Sequence, residues 1–242
     1  MEVEEILLEP HSDPIERLPP YCKVCHVPIR GLRSIFSRVR GITADTTNPQ
    51  FCSKCSEVDF PPREQVITAL FCDIRNYTAL AEKQTPSEIA DLLSEYFTYV
   101  SRVIINNEGV VEKFVGDAVF SFFNAPMPLE RHERVAVQAA MQIRHVVHRM
   151  KASGVEIGIG INSGVARVGK LGSSISQAFG AVGDCVNVAA RLQSQAKGGE
   201  IVMSRAVYEK AREIIPPTAP IRECELELKG KTELCQCVVL GM

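Results

Sequence analysis

Strand and helix patterns alternate between residues 66 and 161 in the order strand, helix, strand, strand, helix, strand. Residues 66–72 are a continuous apolar run of strand length, which is typical of a strand buried on both faces. Thr85 and Glu88 fit the N-cap and the closing Glu of a capping box, so they predict a helix start. This order predicts an α+β fold with a ferredoxin-like βαββαβ sheet that carries its helices on one face.

Further elements extend this unit towards the C-terminus. The helix that starts after Thr85 ends at the Asn-Asn-Glu-Gly sequence before residue 110, and a hairpin follows. Apolar periodicity predicts the remaining elements, which are strands at 110–115, 118–123, 155–161, 200–204, 222–228 and 234–240 and helices at 130–151 and 184–196. The last three strands lie beyond the βαββαβ unit, so we expect extra C-terminal strands.

The distribution of proline marks a boundary near residue 63. Eight of the fourteen prolines fall in residues 1–63, and a Pro-Pro pair lies just before the first predicted strand. A chain of 242 residues with 45% apolar residues is long enough for one full domain and a smaller module. We therefore expect an N-terminal module at 1–63 and a larger domain at 64–242.

Charge and apolar runs exclude several classes of protein. The net charge of −2 gives no overall field that would attract nucleic acid, so a nucleic-acid partner is not expected. No apolar run approaches the roughly 18 residues of a membrane span, and the acidic N-terminus lacks the basic region of a signal peptide. The nine cysteines favour free thiols and a metal site over a disulfide framework. We expect a cytoplasmic protein without a membrane span.

Two Cys-x-x-Cys pairs dominate the N-terminal module. Cys22 and Cys25 form the first pair, and Cys52 and Cys55 form the second. Two such turns can complete a tetrahedral thiolate shell around Zn²⁺, and chance spacing or redox thiols are the alternatives. A Pro-rich module of this size is too small to hold a core unaided, so the metal would supply much of its folding energy. The pairs predict a structural Zn²⁺ site, since four thiolates leave no open position.

A basic cluster follows the first cysteine pair. Arg30, Arg33, Arg38 and Arg40 fall within eleven residues that contain no acid. Such a cluster can bind anions, dock a protein or contact nucleic acid. The balanced charge of the module as a whole favours an ordinary solvated surface. We expect a regulatory or dimer-supporting extension.

Asp73 and Asp117 are candidate metal ligands in the larger domain. Asp73 follows the first apolar strand, and Asp117 lies at the tip of the predicted hairpin. Carboxylates that meet at strand ends are hard oxygen ligands suited to Mg²⁺ or Mn²⁺, and two such ions can clamp both oxygens of a phosphoryl transfer. Taken singly, each residue is more typical of a capped turn or a tight hairpin.

The helix predicted at 184–196 presents Asn187 and Arg191 on one face, because they lie four residues apart. An amide and a planar guanidinium suit a sugar and a phosphate, respectively, although many solvated helix faces have the same composition. The six glycines within residues 154–172 lack the strand-to-helix context of a phosphate loop. They predict a bulge or a close approach of another backbone.

Four short motifs occur in series along the larger domain. They are Phe71-Cys-Asp73-Ile74-Arg-Asn-Tyr-Thr78, Glu112-Lys113-Phe-Val-Gly116-Asp117, Gly160-Ile-Asn-Ser-Gly164 and Gly183-Asp-Cys-Val-Asn187-Val-Ala-Ala-Arg191. In this order and spacing they resemble the catalytic domain of class III nucleotide cyclases, the adenylyl and guanylyl cyclases. The resemblance covers residues 64–242, and a series of motifs is far more specific than any one of them.

The resemblance implies a site that binds two Mg²⁺ or Mn²⁺ ions. Asp73 and Asp117 would hold the ions with help from the backbone carbonyl of Ile74. The turn that ends at Thr78 would lie against the triphosphate.

The resemblance also implies a head-to-tail homodimer in which each active site is shared between two chains. The partner chain would supply Asn187 to orient the ribose and Arg191 to stabilise the transition state.

By the same resemblance, Lys113 lies where a lysine reads adenine, so ATP is the expected substrate. Lys231 matches a lysine that contacts the terminal phosphates, and the nearby Lys229 is a second candidate. Gly180 departs from the family, since adenylyl members usually have Asp or Thr at this second base-reading position. Asn162 replaces the usual His. Guanylyl members usually pair Glu with Cys or Ser at the two reading positions, and Lys113 argues against that specificity.

These residues predict an adenylyl cyclase that converts ATP into cyclic AMP and pyrophosphate by a two-metal mechanism. Such catalysis depends on positioning and charge stabilisation, so it needs no nucleophilic Ser or Cys. A catalytically silent cyclase-like dimer is one alternative, but it would lack a metal-binding Asp or the Asn/Arg pair, and all four are present. A zinc-dependent interaction module on a cyclase-like platform is another.

Overall fold

The computed structural model describes residues 20–45, 49–57, 61–150, 155–173, 175–227 and 234–241. The strands are β1 (Arg63–Ile74), β2 (Val110–Val115), β3 (Ala118–Phe123), β4 (Ile157–Gly172), β5 (Gln177–Val182), β6 (Ile201–Ser204), β7 (Ile221–Leu226) and β8 (Cys235–Leu240). The helices are α1 (Ile35–Val39), α2 (Ser53–Glu57), α3 (Tyr77–Ala81), α4 (Pro86–Asn106), α5 (His132–His148), α6 (Asp184–Gln195) and α7 (Arg205–Ala211), with 3₁₀ turns at Leu32–Ser34 and Arg212–Ile214.

The eight strands of the described residues form one sheet, with the order β2-β3-β1-β4-β6-β8-β7 and with β5 paired to β4 outside this path. The pairing of β4 with β6 is parallel, and the other pairings among the described strands are antiparallel. The long strands β1 and β4 lie at the centre, where Asp73 faces Gly158 in the register. The α+β fold with extra C-terminal strands is therefore confirmed.

Helix α4 begins as its sequence predicts. The Thr85 side chain accepts a hydrogen bond from the Glu88 N–H, and the Glu88 carboxylate accepts one from the Thr85 N–H, which completes the capping box. Tyr96, Val100 and Ile104 follow at helical spacing and are buried in the largest core cluster. That cluster lies between one face of the sheet and the helices α4, α5 and α7.

Helix α6 packs on the opposite face of the sheet, so the helices do not all lie on one face as predicted. Alternate residues of β1 divide between the two sides, with Leu70 in the cluster of α4 and α5 and Ala69 in the cluster of α6. Gly160 explains how α6 comes so close. A Cβ there would overlap the backbone of α6 at Gln193 and Ala189, so this position accepts only glycine.

The predicted strand at 155–161 is much longer than expected. It extends as β4 to Gly172 and then pairs with β5 in a hairpin. Most of the glycines within 154–172 therefore lie inside a strand. This position agrees with the prediction that they do not form a phosphate loop between a strand and a helix.

The N-terminal module packs on the edge of the larger domain near β2 and β5. Its small core contains Cys22, Ile29, Phe51, Cys52 and Cys55. The Gln50 side chain donates a buried hydrogen bond of 2.7 Å to the carbonyl of Gly109, and Phe51 meets Phe179 edge to face with ring centroids 6.2 Å apart. The Lys23 ammonium lies 2.9 Å from the Glu108 carboxylate. The boundary at residue 63 stays a prediction.

Among the described residues, no helix combines the length and the apolar character that crossing a bilayer requires.

Candidate active site

Asp73 and Asp117 converge at one end of the central strands. Asp73 is the penultimate residue of β1, and Asp117 lies in the tight turn between β2 and β3, where Gly116 adopts a positive φ of 62°. The backbone N–H of Ile74 donates a hydrogen bond of 3.1 Å to Asp117 Oδ2. Burial, together with the hydrogen bond to Asp73 and its charge, raises the pKa of Asp117 to about 6. The two carboxylates therefore repel each other at neutral pH.

This repulsion is what a bound divalent cation would relieve, so the pair fits Mg²⁺ or Mn²⁺. Arg75, a basic residue that sequence reasoning missed, offsets part of the negative charge of the pair. Its Nη2 atom lies 3.4 Å from Asp73 Oδ2. The same guanidinium donates a hydrogen bond of 3.2 Å to the carbonyl of Ala196, just after α6. Arg75 therefore links the carboxylate pair to the end of α6.

Lys113 and Gly180 lie close together, on β2 and β5. The Lys113 side chain is 57% exposed, and its ammonium lies 3.0 Å from Glu112 Oε1 and 5.8 Å from the centre of the Phe120 ring. A register shift between Val111 and Lys113 brings Glu112 and Lys113 to the same side, although neighbours along a regular strand point to opposite sides.

Glu112 is the second residue that sequence reasoning missed. Its side chain is 8% exposed, and Oε2 accepts a hydrogen bond of 2.9 Å from the N–H of Ala181. A Cβ on Gly180 would lie 2.7 Å from Glu112 Oε1, so the carboxylate occupies the space of the missing side chain. Burial raises the pKa of Glu112, and the bonds from Lys113 and Ala181 oppose that rise.

Asn187 and Arg191 lie on α6 with their side chains turned away from the core, Asn187 exposed and Arg191 half-buried. Within the described ranges, neither side chain makes a hydrogen bond or an ion pair, and so neither is bonded to Asp73 or Asp117. Asn162 has a structural role here, because its amide donates a hydrogen bond of 3.1 Å to the carbonyl of Cys185. It thereby ties β4 to the first turn of α6.

The remaining predicted site residues are Ile74, Thr78 and the two lysines near residue 230. Ile74 ends β1 and is buried, and Thr78 is exposed in the first turn of α3. Lys231 and Lys229 lie outside the described residues.

Residues 60–241 match the family described as "Adenylate and Guanylate cyclase catalytic domain". The chain belongs to this family. Two curated relatives support this assignment, since both are named adenylate cyclases. The part of each relative that matches is only about a quarter to a third of its length. "Adenylate cyclase 1" of Rhizobium meliloti (strain 1021) is 34% identical over 160 residues, which is 62% of this chain and 24% of the relative. "Adenylate cyclase" of Anabaena cylindrica is 28% identical over 177 residues, which is 69% of this chain and 35% of the relative.

Solved structures show the same fold. The adenylyl cyclase CyaB from P. aeruginosa has a TM-score of 0.68 and 28% identity, and the match covers 75% of this cyclase and 96% of that chain. The catalytic core of a rhodopsin-guanylyl cyclase with converted specificity, in complex with ATPαS, has a TM-score of 0.67 and 25% identity, with 75% and 98% covered. Both adenylyl and guanylyl cyclases are thus similar to this chain. The family implies a nucleotide substrate and the use of divalent metal ions.

Outside the region of Asp73, the cyclase chain has a second cluster of metal-ligating groups. The sulfur atoms of Cys22, Cys25, Cys52 and Cys55 all lie within 4.8 Å of one another. Cys25 and Cys52 Sγ are 3.7 Å apart, close to the separation of about 3.8 Å expected for a tetrahedral site with Zn–S bonds near 2.3 Å. The N–H of Cys52 points at Cys22 Sγ, at 3.3 Å, as suits a thiolate. The cluster therefore fits a four-coordinate metal.

Proposed function

We propose that the protein is an adenylyl cyclase that converts ATP into 3′,5′-cyclic AMP and pyrophosphate at sites shared between two copies of the chain. The convergence of Asp73 and Asp117, with Lys113 on the same hairpin as Asp117, is the observation that carries this proposal. Adenylate cyclases among the relatives support it.

In this proposal Asp73 and Asp117 hold two Mg²⁺ or Mn²⁺ ions, with the Ile74 carbonyl as a further ligand. Bound ions of this kind lower the pKa of the ribose 3′-hydroxyl and offset the charge of the phosphates. The backbone turn that ends at Thr78 lies along the triphosphate, and Lys231 contacts its terminal phosphates. The residues position the 3′-oxygen in line with the α-phosphorus, so that pyrophosphate leaves on the opposite side.

The partner chain supplies Asn187 for the ribose and Arg191 for the charge that develops at the α-phosphate. The lack of bonds from either side chain within the described ranges supports this role, because both are free to contact a ligand. Exposed apolar side chains around the site supply a surface for the partner. They are Phe114 and Val115 on β2, Val165 on β4 and Val182 on β5.

The adenine base lies against Lys113 in this proposal. Gly180 cannot contact the base through a side chain, and the Glu112 carboxylate occupies that volume instead. Glu112 holds the Lys113 ammonium at 3.0 Å, so it positions the group that reads the base. This arrangement favours ATP without an Asp or Thr at position 180.

The four cysteines of the N-terminal module hold a structural Zn²⁺ ion in this proposal, since their sulfur atoms lie within 4.8 Å of one another and those of Cys25 and Cys52 are 3.7 Å apart. The ion orders Gln50 and Phe51, which contact the larger domain next to β2 and β5. A reducing compartment such as the cytoplasm keeps these thiols available.

Complementation between inactive variants tests the proposal. Asp73→Ala and Arg191→Ala should each abolish cyclic AMP formation, and a mixture of the two should regain about a quarter of the wild-type rate, because half of the dimers are mixed and each mixed dimer has one intact site. A mixture of Asp73→Ala with Asp117→Ala is the control, and it should stay inactive because both residues serve the same half of the site. Rescue in the control, or none in mixed dimers of the first pair, contradicts the shared site. An active Asp73→Ala or Asp117→Ala variant contradicts the two-metal assignment, and an active Arg191→Ala variant contradicts the role of Arg191.

A further inference from the structure

In the short helical segment of the N-terminal module, polar side chains are buried and apolar side chains are exposed, which is the reverse of an ordinary surface helix. Ser34 and Ser37 are its buried residues, whereas Leu32, Phe36 and Val39 are 87%, 80% and 83% exposed. Ile35 is also exposed. We call Leu32, Ile35, Phe36 and Val39 the Leu32 face, since this spacing places them on one side of the helical segment. Four adjacent apolar side chains on a surface indicate a partner.

Arginines surround the Leu32 face. Arg33, Arg38 and Arg40 are exposed, and residues 20–44 contain no Asp or Glu. This stretch is strongly basic in a chain whose net charge is −2. The surface that it meets therefore combines an apolar interior with negative charge at its boundary.

We propose that the Leu32 face docks on the surface of an anionic lipid bilayer. The four apolar side chains enter the region between headgroups and acyl chains, and the exposed arginines contact lipid phosphates. A stable protein interface needs about 20 residues on each side. The helical segment from Leu32 to Val39 has only eight residues, which is too few for such an interface. A bilayer needs no shape complementarity, so a small apolar projection with a basic rim is sufficient.

In the part of the chain that the structure describes, the Leu32 face lies apart from the contacts that join the module to the cyclase domain. Those contacts include Lys23, Gln50 and Phe51, none of which belongs to the Leu32 face. Membrane docking and the packing of the module on the cyclase domain are therefore compatible. Docking would bring the cyclase domain to a membrane surface.

The absence of tryptophan from the chain allows a direct test. Phe36→Trp in the full chain introduces a single fluorophore on the Leu32 face, and Ile175→Trp introduces one at an exposed position on the β4–β5 turn as the control. Each protein is mixed with vesicles of phosphatidylcholine alone or of two parts phosphatidylcholine to one part phosphatidylglycerol. For the Phe36→Trp protein we expect a blue shift of the tryptophan emission and co-sedimentation with the anionic vesicles only. The control fluorophore should show no blue shift.

Two further changes, each made in the Phe36→Trp protein, separate the contributions to binding. Arg38→Ala/Arg40→Ala should lower the vesicle partition coefficient roughly 25-fold, at about fivefold for each arginine. Leu32→Ser/Val39→Ser should abolish the blue shift, while an unchanged thermal unfolding curve shows that the module is intact. Equal binding to neutral vesicles, or no binding to either, overturns the proposal. Emission from the Phe36→Trp protein that is already blue-shifted without vesicles also overturns it, because a second copy or another part of the chain then covers the face.

Discussion

At the scale of single residues, the proposed contact between Lys113 and the base depends on Glu112 and Gly180. Gly180→Ala adds a Cβ that lies 2.7 Å from Glu112 Oε1, so the carboxylate must move and Lys113 loses its partner. We expect KM for ATP to rise roughly tenfold while kcat falls less than threefold, since ground-state binding is lost and the metal ligands are untouched. Steady-state kinetics check this, with Ala178→Ser on the same strand as the control. An unchanged KM would contradict the role of Glu112.

Asp117 gives a prediction for the pH dependence of stability. Its pKa in the folded chain is about 6 against an ordinary 3.8, so the folded state binds more protons than the unfolded state between these values. The contribution of Asp117 to stability therefore falls as pH rises from about 4 to about 6 in the absence of divalent ions. Asp117→Asn should raise Tm at pH 7.5 in buffer without Mg²⁺ or Mn²⁺ and have little effect at pH 4, as measured by thermal unfolding. Asp91→Asn, at an exposed position, is the control, and equal effects at both pH values would contradict the raised pKa.

The residues that sequence reasoning found and missed differ in a physical way. Asp73, Asp117 and Lys113 are polar residues at strand ends or in a recognisable motif, so their positions follow from the predicted strands. Glu112 was missed because regular alternation would place it opposite Lys113, and the register shift that brings them together has no mark in the sequence. Arg75 was missed because its two partners, Asp73 and Ala196, lie far apart along the chain.

At the scale of elements, the position of α6 depends on Gly160. Gly160→Ala would force the helix away from β4, since the added Cβ overlaps the backbone at Gln193. We expect a loss of about 1–3 kcal/mol in the free energy of unfolding. A larger fall in activity should follow, because α6 carries Asn187 and Arg191. Chemical denaturation and cyclic AMP formation measure the two effects.

Arg167→Ala is the matched control for this substitution, because it truncates an exposed side chain on the same strand. It should change the free energy of unfolding much less. A Gly160→Ala variant with wild-type stability and activity would show that α6 approaches β4 less closely.

Long elements with clear periodicity were predicted well, and so were short strands with a marked apolar pattern, such as β3 and β8. The capping box and apolar spacing of α4 determine it locally, and β1 follows from its apolar run. The sequence did not predict α3, α7 or β5, which are five to seven residues long and carry too little apolar periodicity to identify an element. Helix α6 packs on the face of the sheet where Gly160 has no side chain. The pattern of residues along the strand does not show which face that is.

At the scale of the whole molecule, the proposed Zn²⁺ site of the N-terminal module gives a prediction for metal content. The protein purified without chelators should contain about one zinc ion per chain, and Cys52→Ser should lose most of it, because three thiolates no longer complete the shell. Cys235→Ser, outside the cluster, is the control and should keep its zinc. Metal analysis of the three proteins checks this, and equal zinc content in wild type and Cys52→Ser would contradict the site.

Proline and cysteine spacing predict a division of the chain near residue 63, and this division stays a prediction. The contacts between the two parts could not be predicted, because Gln50 and Gly109 are 59 residues apart and their hydrogen bond involves a backbone carbonyl. The exposure of the Leu32 face could not be predicted either, since the sequence does not show which side of so short a helix is buried.

Product formation from ATP and from GTP, each with Mg²⁺ and with Mn²⁺, tests the central claim most directly, with the Asp73→Ala protein as the blank. The account predicts cyclic AMP above the blank and a clear preference for ATP over GTP, because Lys113 and Glu112 shape the base site. Cyclic GMP as the main product would contradict the adenylyl assignment. No product under any of the four conditions would contradict the catalytic proposal and favour a cyclase-like dimer that binds nucleotide without turning it over.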